Sequence, residues 1–80
     1  MKIEQRIKEG GVDGVSQSVV TRAFQYTQAT ERTQRIRTLC LGGAIVAFRR
    51  ETGGRTATIY VHADYAEEHG AKFPNDHRGV

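Results

Sequence analysis

The residues in this chain best suited to chemistry are its arginines. Between residues 20 and 55, Arg22, Arg32, Arg35, Arg37, Arg49, Arg50 and Arg55 face only two acids, Glu31 and Glu51, and no lysine joins them. A guanidinium is a planar fork of donors that suits phosphate oxygens and the edge of guanine better than an ammonium does. A basic block concentrated in one segment is the electrostatic footprint of a nucleic-acid binder. Thr30, Gln34 and Thr38 are interleaved with Arg32, Arg35 and Arg37. Gln and Arg read base edges in a major groove, and Thr contacts a phosphate or a thymine methyl.

Other chemistry finds less support. His62, His69 and His77 lie seven and eight residues apart with acids between them, which is no recognised ligand pair. The expectation is surface histidines and no metal. Cys40 falls on the apolar side of a helical pattern and reads as a small core residue rather than a nucleophile. The pairs Gly42-Gly43 and Gly53-Gly54 belong to no phosphate-binding loop, so no cofactor is expected. Glu67 and Glu68 are adjacent and would point about 100° apart on a helix, which reads as a solvated acidic end and not as a pair of catalytic carboxylates. No enzyme is expected.

The chain that must position the arginines has 80 residues, enough for one domain with a small core. Hydrophobic residues make up 38% and charged residues 26%, which is globular and not disordered. No apolar run approaches the length of a membrane span; Leu39 to Phe48 is broken by Gly42-Gly43. The first residues are charged and carry no apolar stretch of a signal peptide. A single cysteine suits a reducing compartment, and the expected location is cytoplasmic.

Periodicity supplies the elements. Ile3 and Ile7 mark a short amphipathic helix from Lys2 to Glu9, stopped by Gly10-Gly11. Val12 to Val15 reads as a connector. A second helix spans Ser16 to Tyr26, with Ser16 or Asp13 as its cap and Val19, Val20, Ala23 and Phe24 on one face. A third runs from Thr30 to Leu41, with Ile36, Leu39 and Cys40 inward and Gln34, Arg35, Arg37 and Thr38 sideways or outward. Arg32 falls nominally inward. Ala44–Arg50 and Thr56–His62 are β-branched runs around a glycine turn, an antiparallel hairpin with Arg49, Arg50 and Arg55 at its tip. Alternation places Val46 and Phe48 on one face, Ile45 and Ala47 on the other. Residues 64–70 are weakly helical, and the expected organisation is one domain over 1–71 with a flexible tail over 72–80.

Three helices followed by a hairpin, with Gln, Arg and Thr on the third helix and a basic hairpin tip, resemble the winged helix-turn-helix family of DNA-binding domains. The resemblance covers roughly residues 16–62, with residues 2–9 as the leading helix. Ala23 matches the small residue of the family's second helix, and Ile36 and Leu39 the buried positions of its recognition helix. Thr27 and Gln28 depart from the turn glycine and apolar residue usual in the family. The resemblance implies an α+β winged helix-turn-helix fold with a two-stranded wing. It implies a recognition helix that places Thr30, Arg32, Gln34, Arg35, Arg37 and Thr38 in the major groove, with Arg49, Arg50 and Arg55 as wing contacts. The expected partner is double-stranded DNA, bound by a homodimer, and the expected role is regulation of transcription in a bacterium, phage or plasmid. A different class of function fits the same features: a small phage- or plasmid-type inhibitor that binds a protein partner through the hairpin edge or the basic face. The DNA reading requires the polar front of the third helix and the arginine-tipped hairpin to lie on one surface.

Overall fold

The structure is a computed structural model that describes residues 2–78; Met1, Gly79 and Val80 lie outside the described residues. It is an α+β fold with four α-helices and a four-stranded antiparallel sheet. In chain order the elements are α1 (Ile3–Glu9), β1 (Val15–Ser16), α2 (Gln17–Ala23), α3 (Ala29–Leu41), β2 (Ile45–Thr52), β3 (Arg55–His62), α4 (Ala66–Lys72) and β4 (His77–Arg78). Short 3-10 turns at Gly11–Asp13 and Ala63–Tyr65 link α1 to β1 and β3 to α4. No helix among the described residues is long and apolar enough to cross a membrane.

The Ile3/Ile7 stripe turns inward as its spacing predicts, and both side chains are buried. Ser16 caps α2: its Oγ accepts a hydrogen bond from the Val19 amide at 3.3 Å. The helix ends at Ala23, three residues earlier than its apolar pattern suggests. The hairpin strands are longer than expected, so the turn is Gly53-Gly54 alone. Both glycines have positive φ, +54° and +86°, the conformation a two-residue hairpin turn demands.

Strand order is β1-β3-β2-β4. The stretch expected as a plain connector contains β1, with Val15 opposite Tyr60 and Ser16 opposite Ile59. Gly14 makes this pairing possible. Its φ is +75°, and a Cβ there would sit 2.8 Å from the Tyr60 carbonyl oxygen and 2.8 Å from Val61 Cγ2. Through β1 the hairpin is tied back to the helices.

The sheet is buried on both faces. On one, Ile45, Ala47 and Tyr60 pack with Ile3, Ile7, Val20, Phe24, Ile36 and Leu39 from the first three helices. On the other, Val46, Phe48, Ile59 and Val61 form a second cluster with Tyr65. The two faces follow the alternation read from the strand sequences.

What covers the second face corrects the expected tail. Residues 72–78 are integral to the fold: β4 pairs with β2, placing His77 opposite Arg49 and Arg78 opposite Phe48. Asp76, with a side chain only 2% exposed, accepts two hydrogen bonds from Arg50, Nε to Oδ1 and Nη2 to Oδ2, each at 2.8 Å. Asp76 Oδ2 also accepts from His69 Nε2 at 2.8 Å. His69 is fully buried, where its spacing predicts a surface histidine. Its Nδ1 lies 2.7 Å from the Val12 carbonyl oxygen. Carbonyl and carboxylate are both acceptors, so each ring nitrogen of His69 faces an acceptor oxygen. Its ring lies between Phe48 and Phe73, with centroids 4.5 and 4.7 Å away. His62 is also buried: Nδ1 accepts the Asp64 amide at 3.2 Å, leaving Nε2 to donate to Glu4 at 3.4 Å.

The Arg50 hydrogen bonds hold the Asp76 carboxyl below the ordinary carboxylate range, with the His69 bond acting in the same direction. A carboxyl depressed on folding contributes stability that is full above its unfolded value and is lost as pH falls through the folded one. Asp76→Ala should therefore cost about 3–5 kcal/mol in urea melts at neutral pH, because it leaves Arg50 and the buried His69 without their anion. The gap between this variant and the parent chain should narrow as pH is lowered from about 4. A gap that stays constant down to acid unfolding would contradict the assignment.

Candidate nucleic-acid interface

The turn between α2 and α3 contains no glycine, and no residue in it adopts positive φ. It is closed by the Thr27 amide donating to the Phe24 carbonyl at 3.0 Å. Arg32 completes it from the next helix: Nη1 donates to the Phe24 carbonyl at 3.2 Å and to the Thr27 carbonyl at 3.3 Å. Carbonyls at the end of a short helix need donors, and here a side chain supplies them. That role corrects the expectation of Arg32 as a DNA contact, since its guanidinium is directed at the backbone of its own chain.

The rest of the front is exposed. Thr30, Gln34, Arg35, Arg37 and Thr38 all face solvent, while Ile36, Leu39 and Cys40 pack against the core. Arg35 and Arg37 are two residues apart, about 200° around the axis, and so occupy opposite flanks of α3. Arg35 lines a groove of about 370 Å³ shared with Lys2, Glu4, Gln5 and Lys8 of the α1 region. Arg37 lines a larger groove of about 870 Å³ shared with Arg49 of β2. Gln34 and Thr38 form the crest between the two flanks.

The three hairpin arginines part company. Arg49 pairs with Thr58 on the sheet face that carries α3. Arg50 and Arg55 project from the other face by strand alternation. Arg50 is occupied by Asp76, and its guanidinium carbon lies 4.7 Å from the Phe73 ring centroid, with 32% of the side chain exposed. The expected wing contact at Arg50 is thus corrected: it is part of the interior network. Arg55 is exposed beside the Gly53-Gly54 turn.

The structure therefore brings Arg37 and Arg49 to one groove, and Arg35 to a second with Lys2 and Lys8. It does not bring Arg32, Arg50 and Arg55 to the same surface as these. Lys2 and Lys8 carry no signal in the sequence because residues 1–19 are electrically neutral taken together, and only docking α1 beside α3 places its lysines near Arg35. Tyr26, 95% exposed in the turn preceding α3, is an aromatic side chain with no packing role. No three of the described His, Cys, Asp and Glu residues cluster so as to hold a metal ion.

Comparison of the chain with protein-family models, with curated proteins and with solved structures finds no match in any of the three.

Three single substitutions separate these roles. Arg50→Ala should destabilise the fold by about 3 kcal/mol or more by leaving Asp76 buried without its partner. Arg32→Ala should cost about 1 kcal/mol through the lost turn hydrogen bonds. Arg49→Ala, exposed and unpaired among the described residues, should stay within about 0.5 kcal/mol of the parent. Denaturant midpoints measured side by side check the order.

Proposed function

We propose that the chain is a winged helix-turn-helix module that binds double-stranded DNA, acting as a small prokaryotic, phage or plasmid regulator of transcription. The observation that carries this reading is the groove shared by Arg37 of α3 and Arg49 of β2. It joins the exposed polar front of α3 to the basic hairpin on one side of the molecule. In this reading α3 enters the major groove with Gln34 and Thr38 leading. Arg35 and Arg37 on its flanks reach guanine edges or the bordering phosphates. Arg49, Lys2 and Lys8 neutralise phosphates on either side and supply affinity that falls as salt rises. One module of this size makes few contacts, so two copies on a two-fold symmetric site are expected.

A second reading has its own observation. β1 covers β3 only at Ile59 and Tyr60, so the outer edge of residues 55–58 has no strand partner among the described residues. An open edge of this kind accepts an added strand from a protein partner.

Salt separates the two. Affinity for random duplex DNA, measured by fluorescence anisotropy, should fall steeply between low and physiological salt, and Arg49→Ala should reduce the slope of log affinity against log salt by about one. Arg35→Ala combined with Arg37→Ala should weaken binding to a selected sequence by about 1–3 kcal/mol per lost base contact while leaving the melting temperature near that of the parent. Absence of binding to any duplex at low salt would remove the DNA reading and favour the protein-binding one.

A further inference from the structure

We propose that the groove between α3 and β2 is a binding site for a small amphipathic anion, a carboxylate carrying an apolar tail. Its volume, about 870 Å³, falls within the range of small-molecule sites. The walls are mainly apolar and come from three elements: Ile36 and Cys40 of α3, Ile45 and Ala47 of β2, and Tyr60 of β3, with the Thr58 hydroxyl side chain beside them. Leu41, 81% exposed, extends this apolar lining at the end of α3. Two guanidiniums stand at the rim, Arg37 from the helix and Arg49 from the strand. The ion pairs of the described residues engage Arg6, Lys8, Arg50, Lys72, His62 and His69, and neither rim arginine takes part in one. Arg78 also borders the groove, but its register opposite Phe48 directs it to the other sheet face, so Arg37 and Arg49 are the guanidiniums on the face that carries α3.

The ligand class follows from this division. A hydrocarbon alone would fill the walls and leave two cations without an anion. An inorganic anion alone would pair with the rim and leave the walls wet. A carboxylate with a tail satisfies both, through charge-assisted hydrogen bonds to the forks and burial of apolar surface below them. The walls contribute no opposing charge: burial pushes the Cys40 thiol and the Tyr60 phenol up from their ordinary values, so both stay neutral at physiological pH. Because Arg37 and Arg49 also belong to the proposed DNA surface, an occupied groove would compete with phosphate. That coupling rests on the DNA reading, and the site itself does not.

Cys40 is the chain's single cysteine and lies within the groove, so it reports occupancy directly. The rate of Cys40 alkylation by iodoacetamide is measured as octanoate is added to the full chain, with acetate and 1-octanol as matched controls. Octanoate should slow alkylation at least about tenfold, saturably, while acetate and octanol change it less than about twofold. Arg37→Gln with Arg49→Gln, both surface changes, should raise the half-saturating octanoate concentration about tenfold or more. Three results would each overturn the proposal: no protection below the concentration at which octanoate aggregates, equal protection by octanol, or an unchanged half-saturation in the double variant. The assay contains no DNA, so a chain that fails to bind DNA should still show Cys40 protected by octanoate.

Discussion

Asp76 is a buried anion that accepts hydrogen bonds from two separate elements of the fold. Arg50 donates to it twice from β2, and His69 donates once from α4. Removing charges from water is costly, and the geometry offsets that cost only because the hydrogen bonds are short, aligned and mutually compatible. His69 then passes the constraint on, since its second nitrogen faces the Val12 carbonyl in the turn before β1. One carboxylate thereby fixes the relative positions of β2, α4, β4 and the first connector. The aromatic rings of Phe48 and Phe73 flank the His69 ring within this network.

The functional surfaces depend on that anchor indirectly. With Asp76 in place, β4 lies along β2, α4 covers the second face of the sheet, and the hairpin has one orientation relative to α3. The angle between α3 and the hairpin decides whether Arg37 and Arg49 share a groove. A sheet covered on one side only would leave the hairpin to be positioned by its packing on the first three helices and by β1, which is two residues long. The interior polar network and the exterior arginine pair are thus linked through a sheet that both faces of the protein grip.

Much of this architecture is legible in the residues. The Ile3/Ile7 stripe, the Ser16 cap, the inward set of α3 and the alternation of the two long strands each rest on local periodicity or a local hydrogen bond, and each is where such patterns put it. The second face is not legible, for a physical reason. His69, Asp76 and Arg50 are polar, and polar residues outside a periodic apolar pattern read as solvated. Only their mutual satisfaction makes burial favourable, and that partnership spans 26 residues between Arg50 and Asp76. The same blindness applies to the site. Arginines at the hairpin tip look equivalent in sequence, yet strand parity and one buried acid give Arg49, Arg50 and Arg55 three different surroundings. Arg32 falls on the inward side of its helix, as periodicity predicts, but periodicity carries no information about the two carbonyls it caps.

That Asp76 follows both of its hydrogen-bonding partners along the chain also shapes the order in which the protein can fold. As a nascent polypeptide leaves the ribosome, Arg50 and His69 emerge before the carboxylate that accepts their hydrogen bonds. Until then the second face of the sheet cannot exclude water without burying donors that lack their acceptor. The helices and hairpin can form early, but the cooperative closing step waits until residue 76 has cleared the exit tunnel.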